Sequence, residues 1–198
     1  MYQLVLASES PRRKQLLEKA GFNFRVCPSK ISEILNKSLN VNEQILDLAR
    51  QKARTVFSSL KSSMKEPYLV LGSDTEVIFE GQTLGKPADP QDAYRILRSL
   101  SGNQHTVITA ICMIESLQGH ESSEYELSQV YFKPLTDEKI WSYIQSGDPM
   151  DKAGAYGIQG PGRDLVDYFE GTLENIMGLP VDRVQSILQK NFWKVNAR

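Results

Sequence analysis

The sequence predicts an α/β fold, a mixed sheet flanked by helices, from three observations. Apolar runs at Gln3 to Ala7 and Tyr68 to Gly72 have the length and composition of strands. Around Val41 to Phe57 and Asp89 to Leu100, apolar residues recur at helical spacing. The two kinds of segment are interleaved in mixed order along the chain, which suits a sheet with helices on its faces.

The strand from Gln3 leads into a helix signalled by Ser10 as cap, Pro11 in the first turn and Gly21 as stop. Phe22 to Cys27 reads as a second strand, followed by a polar loop through Glu33. Asn40 with Glu43 resembles a capping box opening the helix from about Val41 to Phe57. After Tyr68 to Gly72, Val77 and Phe79 continue the alternation toward a turn at Glu80, Gly81 and Gln82, predicting a hairpin after Asp74. Asp89 and Pro90 start a helix with Ala93, Ile96, Leu97 and Leu100 on one face, ended by Ser101 and Gly102. Extended segments at Gln104 to Ser116 and Ser123 to Phe132 flank a Gly119 turn, and a helix spans Thr136 to Gln145. A glycine-rich loop carries Gly154, Gly157, Gly160 and Gly162; Asp164 to Glu170 reads as a strand, and Pro180 begins a last helix with Val181, Val184 and Leu188.

With 198 residues the chain is long enough to bury a core without staples, and 40% apolar and 24% charged residues suit a soluble globular protein. No repeat or linker divides it, so it reads as a single domain over 1–198. A formal net charge of -1 offers no general attraction to polyanions, so nucleic acid is not expected as a partner. Charged Glu9, Arg12, Arg13 and Lys14 interrupt the N-terminus, and no apolar run is long enough for a membrane span, so no membrane partner and a cytoplasmic location are expected. Cys27 and Cys112 lack zinc-site or disulfide-framework spacing and read as free thiols.

Several constellations carry chemistry. In Leu6-Ala7-Ser8-Glu9-Ser10-Pro11-Arg12-Arg13, two guanidinium groups stand in a helix's first turn, where each opposes the macrodipole by roughly 0.3–1 kcal/mol. A bound phosphate would resolve that conflict, whereas solvated arginines would leave it standing; one serine hydroxyl can cap while the other donates to a phosphate oxygen. Lys52 falls in the same helical arc as Val41, Ile45, Leu48, Ala49 and Val56, so its ammonium either snorkels past the core edge or meets a carboxylate or anionic ligand. In Gly72-Ser73-Asp74-Thr75 an acid ends an apolar strand, a common ligand position in α/β sheets. Asp74 there either closes its own turn or, with Glu33, holds magnesium against phosphates or takes a proton from water. Gly85-Lys86-Pro87 and the loop from Asp151 to Gly160 can bring Lys86 and Lys152 to phosphates. The Gln159 amide, donor beside acceptor, matches the edge of a uracil or thymine ring. His105 and His120 read as packed or solvated side chains. The chain has no Walker A loop, dinucleotide fingerprint, nucleophile elbow or His-Glu-x-x-His, which removes the main support for kinase, dehydrogenase and serine-hydrolase readings.

Taken in order, these pieces, with Ala49-Arg50-Gln51-Lys52-Ala53, Leu100-Ser101-Gly102 and Gly178-Leu179-Pro180, resemble the Maf-like nucleoside triphosphate pyrophosphatases over nearly the whole chain. The resemblance implies an elongated, inosine-triphosphatase-like α/β fold with two lobes around a deep cleft, and a homodimer. It implies hydrolysis of a nucleoside triphosphate between the α and β phosphates with a divalent metal, magnesium or manganese. Asp74 would then be the proton acceptor and Glu33 would help hold metal. Ser8, Arg13, Lys52, Lys86 and Lys152 would engage the triphosphate. Tyr156-Gly157-Ile158-Gln159-Gly160 is similar to the subgroup acting on dTTP and UTP, with Arg12, Thr75 and Gln159 as selectivity positions. Ser73 stands where alanine is common and Ser32 where an acid is usual, so that loop offers no second metal ligand at position 32. The alternatives are the 7-methyl-GTP subgroup, an enzyme for modified pyrimidine nucleotides, and a non-catalytic nucleotide sensor that restrains cell division through a protein partner.

Overall fold

Strand β1 (Gln3–Leu6) pairs in parallel with both β2 (Phe24–Val26) and β3 (Tyr68–Phe79), with Leu4 opposite Phe24 on one side and Leu69 on the other. Antiparallel additions are β4 (Gln82–Leu84) on β3 and β7 (Val166–Glu170) on β6 (Glu121–Phe132). With β5 (Gln104–Glu115) they form a mixed sheet of order β2-β1-β3-β5-β6-β7, β4 lying off that path. The helices are α1 (Pro11–Lys19), α2 (Val41–Leu60), α3 (Pro90–Leu100), α4 (Asp137–Gln145), α5 (Leu173–Ile176) and α6 (Val181–Lys190). This computed structural model describes residues 1–196, and the expected α/β architecture is what it contains.

The helix starts follow the sequence signals. Ser10 accepts from the Arg13 N–H, Asn40 from Glu43, Asp89 from Asp92 and Thr136 from Lys139, each satisfying an amide that the helix itself leaves open.

The chain folds as two compact units. The first comprises Met1–Asp74, Thr109–Glu126 and the described residues from Gly178 onward. Its core joins Leu4 and Leu6 of β1, Leu17 of α1, Ile45 of α2 and Leu69 and Leu71 of β3, all at most 1% exposed. Helix α2 lies against β3 at Gly72, where an added Cβ would come 2.5 Å from the Ala49 carbonyl oxygen and 2.7 Å from the Ala53 nitrogen. The turn between β5 and β6 is built on Glu115, whose carboxylate accepts from the N–H groups of Leu117 (2.7 Å), Gln118 (2.8 Å) and His120 (3.1 Å). Burial raises the Glu115 pKa, but these three bonds and one from Tyr2 outweigh it and hold the group below its ordinary value.

The second unit comprises Thr75–Ile108 and Leu127–Met177. Tyr94 of α3 stacks on Trp141 of α4 with ring centroids 5.0 Å apart. His105, buried on β5, meets Tyr156 Oη at 2.8 Å and lies edge-on to Phe132, so it is a packed histidine; burial lowers its pKa to about 4. His120, in the first unit, bonds Asn191 Oδ1 at 3.1 Å. Cys27 and Cys112 are both free, Cys112 fully buried.

Several elements differ from expectation. Asp74 does not end a strand: β3 runs through it as 12 continuous residues, because Thr75, Val77 and Ile78 extend the β-forming run and Oδ1 of the carboxylate bonds Lys52 on α2 instead of closing its own turn. Strand β6 begins at Glu121, whose carboxylate is fixed by Arg54 at 2.7 Å, two residues before the expected start. Strand β7 begins at Val166 because Gly160–Leu165 is wound into a 3-10 turn. Helix α5, capped by Thr172, is too short for a periodic pattern to announce it.

Candidate active site

Lys52 lies on α2 and Asp74 on β3, both in the first unit. The Lys52 ammonium does not run out to solvent; it bonds Asp74 Oδ1 and meets Glu33 Oε1 at 2.8 Å. The Lys52 and Asp74 side chains are 13% and 7% exposed, so this is a largely desolvated pair, whereas the Glu33 side chain is 48% exposed. Asp74 Oδ2 is buried with no hydrogen-bond partner among the described residues. Burial raises the Asp74 pKa above its ordinary value; Lys52 and Arg13 act against that shift without cancelling it, and Glu33 adds to it.

Arg13 is held at the start of α1 by its side chain as well as by the helix. Its Nε donates to the Gly178 carbonyl at 2.8 Å and its Nη1 to Ser8 Oγ at 3.1 Å. Burial lowers the Arg13 pKa, with the Asp74 carboxylate opposing the shift. Ser8 Oγ also accepts from the Ser10 N–H at 3.2 Å, so both of its lone pairs are engaged and its O–H remains the group it can offer a ligand. Ser10 is the cap, as its Oγ accepts from the Arg13 N–H. The Gly178 carbonyl takes a second bond from Ser73 Oγ at 3.1 Å, so the Ser73 hydroxyl is committed to that buried hydrogen bond. Arg12, on the same first turn, is half-buried.

The remaining predicted residues lie in the second unit. Lys86 is exposed after β4, and the preceding Gly85 carbonyl accepts from the Gly154 N–H at 3.1 Å, tying its loop to the glycine-rich one. Gly154 needs to be glycine twice over: its φ is +69°, and a Cβ would lie 2.7 Å from Val77 Cγ2. Lys152 is engaged by carboxylates, Asp148 at 3.0 Å and Asp151 at 2.7 Å, and donates to the Asp148 carbonyl. Asp148 in turn accepts from Tyr143 Oη at 2.5 Å, and that hydroxyl receives the Gly157 N–H at 3.0 Å. Gln159 is exposed, its side chain making no cap to the 3-10 turn that follows; Thr75 is half-buried on β3.

Glu33, Lys52 and Asp74 are thus brought into one bonded group in the first unit, as are Ser8, Ser10 and Arg13, while Lys86 and Lys152 share linked loops in the second. The sequence reading missed the Gly178 carbonyl, Asp148, Tyr143 and Gln51. Gln51 bonds both backbone groups of Ile34, next to Glu33. Gly178 and Gln51 belong to motifs already singled out, and Asp148 stands one helical turn before Lys152, but their bonds link distant or unpatterned backbone that spacing does not reveal.

Two carboxylates on one ammonium, one with a buried and unbonded oxygen, suit a magnesium-type cation, which is bound through one or two carboxylates with substrate phosphates and water completing its shell. Among the described residues no group of three or more His, Cys, Asp or Glu side chains is placed to hold a metal without such help.

Comparison with known proteins agrees in direction. A protein named dTTP/UTP pyrophosphatase from Bdellovibrio bacteriovorus is 59% identical over 187 residues, 94% of this chain and 97% of its own. Another of that name from Caldicellulosiruptor bescii is 44% identical over 190 residues, 96% of this chain and 95% of its own. A crystal structure of a nucleoside-triphosphatase, a dITP/XTP pyrophosphatase from Mycobacterium abscessus, aligns at TM-score 0.42 and 10% identity over 95% of this chain and 94% of that one, a weak likeness that fixes nothing about this protein. The family model described as Maf-like protein matches residues 3–191, and with relatives this similar along nearly its full length the chain belongs to the Maf family.

Proposed function

We propose that this chain is a nucleotide pyrophosphatase that hydrolyses dTTP and UTP to the monophosphate and pyrophosphate. The observation that carries the reading is the Lys52 ammonium shared by Asp74 and Glu33. A carboxylate with a raised pKa beside a fixed cation, both largely shielded from water, suits a general base. The names of the close relatives support the choice of substrate.

In this reading Asp74 receives the proton of the attacking water. Lys52 favours the ionised form of Asp74 and lends positive charge to the phosphates. Arg13 and the Ser8 hydroxyl bind phosphate oxygens at the α1 N-terminus, where the helix dipole also favours an anion. Lys86 and Lys152 complete the charge neutralisation, Lys152 by leaving its carboxylate partners. Such charge compensation is where phosphoryl-transfer enzymes draw most of their rate. A divalent cation, magnesium or manganese, held by Asp74 and Glu33 would supply Lewis-acid neutralisation of the phosphates. Arg12, Thr75 and Gln159 select the base. We further propose that residues 1–198 act as one functional domain, as a homodimer in the cytoplasm; no helix among the described residues is long and apolar enough to cross a membrane.

The test is to incubate the purified protein with magnesium, then manganese, and dTTP, UTP, CTP, GTP or 7-methyl-GTP, separating monophosphate, diphosphate, orthophosphate and pyrophosphate. Monophosphate and pyrophosphate chiefly from dTTP and UTP are expected. Preference for 7-methyl-GTP would move the chain to that subgroup, and binding without turnover of any nucleotide would make it a sensor.

A further inference from the structure

Glu33 sits in a stretch, residues 27–36, that forms neither helix nor strand. Its own ion pair is half-exposed, and pairs of that kind contribute about 0–1 kcal/mol, too little to fix a loop. The next residue is held more firmly. Gln51, on α2 immediately before Lys52, donates from Nε2 to the Ile34 carbonyl at 2.8 Å and accepts the Ile34 N–H on Oε1 at 3.3 Å. The amide thus pairs with both backbone groups of one residue, as a neighbouring strand would. Its orientation is set by Asp47, one helical turn earlier, which accepts the second Nε2 hydrogen at 2.7 Å and would reject the flipped amide. Asp47, Gln51 and Lys52 ride on the same rigid helix, so the clamp that fixes Ile34 and the cation that receives Glu33 are in fixed register.

We propose that Gln51, oriented by Asp47, is a positioning residue that holds the backbone at Ile34 so that the Glu33 carboxylate is delivered to Lys52 and Asp74. The proposal rests on the functional reading of Glu33 given above. Gln51 bonds the Ile34 backbone and Asp47, not the Glu33 carboxylate; it acts through Glu33 alone, and its effect should therefore vanish when Glu33 can no longer act. Outer partners that orient metal-ligating carboxylates typically matter by about 10- to 100-fold, and Gln51, one residue removed from Glu33, is expected at the low end of that range.

A double-mutant cycle with Gln51→Ala and Glu33→Gln separates this role from a general loss of structure. We expect Gln51→Ala to lower kcat by about tenfold in the otherwise wild-type enzyme but by less than about twofold in the Glu33→Gln background. Hydrogen exchange, measured without nucleotide or metal, should show faster exchange at the Ile34 amide in Gln51→Ala, with the amides of α2 unchanged. A wild-type kcat for Gln51→Ala, the same tenfold loss in both backgrounds, or unaltered Ile34 exchange would each overturn the proposal. If Glu33→Gln itself retains full turnover, the functional reading of Glu33 fails first, a result distinct from an impaired Glu33→Gln beside an unimpaired Gln51→Ala.

Discussion

Lys52 and Asp74 meet because Gly72 lets α2 approach β3. Gly72 and Asp74, two residues apart on the strand, share a face, and that face is the one covered by Ala49 and Ala53, between which Lys52 projects. Ser73, on the opposite face, turns to the Gly178 carbonyl that also anchors Arg13. One short segment of strand therefore supplies the close contact, the buried carboxylate and the support for the neighbouring cation.

Replacing Asp74 with Asn should preserve the fold while removing the carboxylate proposed as proton acceptor, and turnover should fall by about a hundred- to ten-thousand-fold. Steady-state product release with magnesium and dTTP, beside a thermal melt, checks it; a variant with wild-type activity would remove Asp74 from the mechanism.

The raised Asp74 pKa has a sign that can be measured in two ways. Because the folded-state value lies above the unfolded one, about 3.9, the native state holds this proton more tightly, so Asp74 favours folding at acid pH and that contribution is lost as pH rises through the folded value. Stability of the wild type relative to Asp74→Asn should accordingly decline from acid toward neutral pH. The acidic limb of kcat/KM should lie above the ordinary carboxylate range and move higher still in Lys52→Met, which removes a group that favours the carboxylate. A limb that stays put in Lys52→Met would mean that another group controls it.

Gly72→Ala would press a methyl group into the α2 backbone, with Ala49 O 2.5 Å away. The contact is with helix backbone and not with the flexible end of a side chain, so the shift it forces should cost about 1–3 kcal/mol of stability, read from denaturant midpoints. Turnover should fall as well, because the displaced helix carries Lys52.

Gln159 is exposed and caps nothing, so its substitution should leave stability unchanged to within about 0.5 kcal/mol. If its amide reads the pyrimidine edge, Gln159→Leu should reduce kcat/KM for dTTP and UTP by about tenfold or more, the effect of losing polar contacts to the base, and reduce CTP and GTP less. An equal loss with every nucleotide would make Gln159 a loop-shaping residue instead.

The sequence by itself determined the α/β class, nearly every helix start, the β3–β4 hairpin and the kinds of groups a phosphate-handling site needs. Those features are local: a cap such as Asn40 or Asp89 acts within one turn, and apolar period follows directly from helix or strand geometry. Tertiary structure decided that β3 continues through Asp74, that Lys52 meets Asp74 and Glu33, that Ser8 and Gly178 hold Arg13, and that Gln51 clamps the backbone beside Glu33. It also decided that Lys152 is held by Asp148 and Asp151. Each of these joins groups whose partners are set by how helices and loops pack on the sheet, and a charged side chain's pattern in the sequence does not say whether water or another residue will receive it.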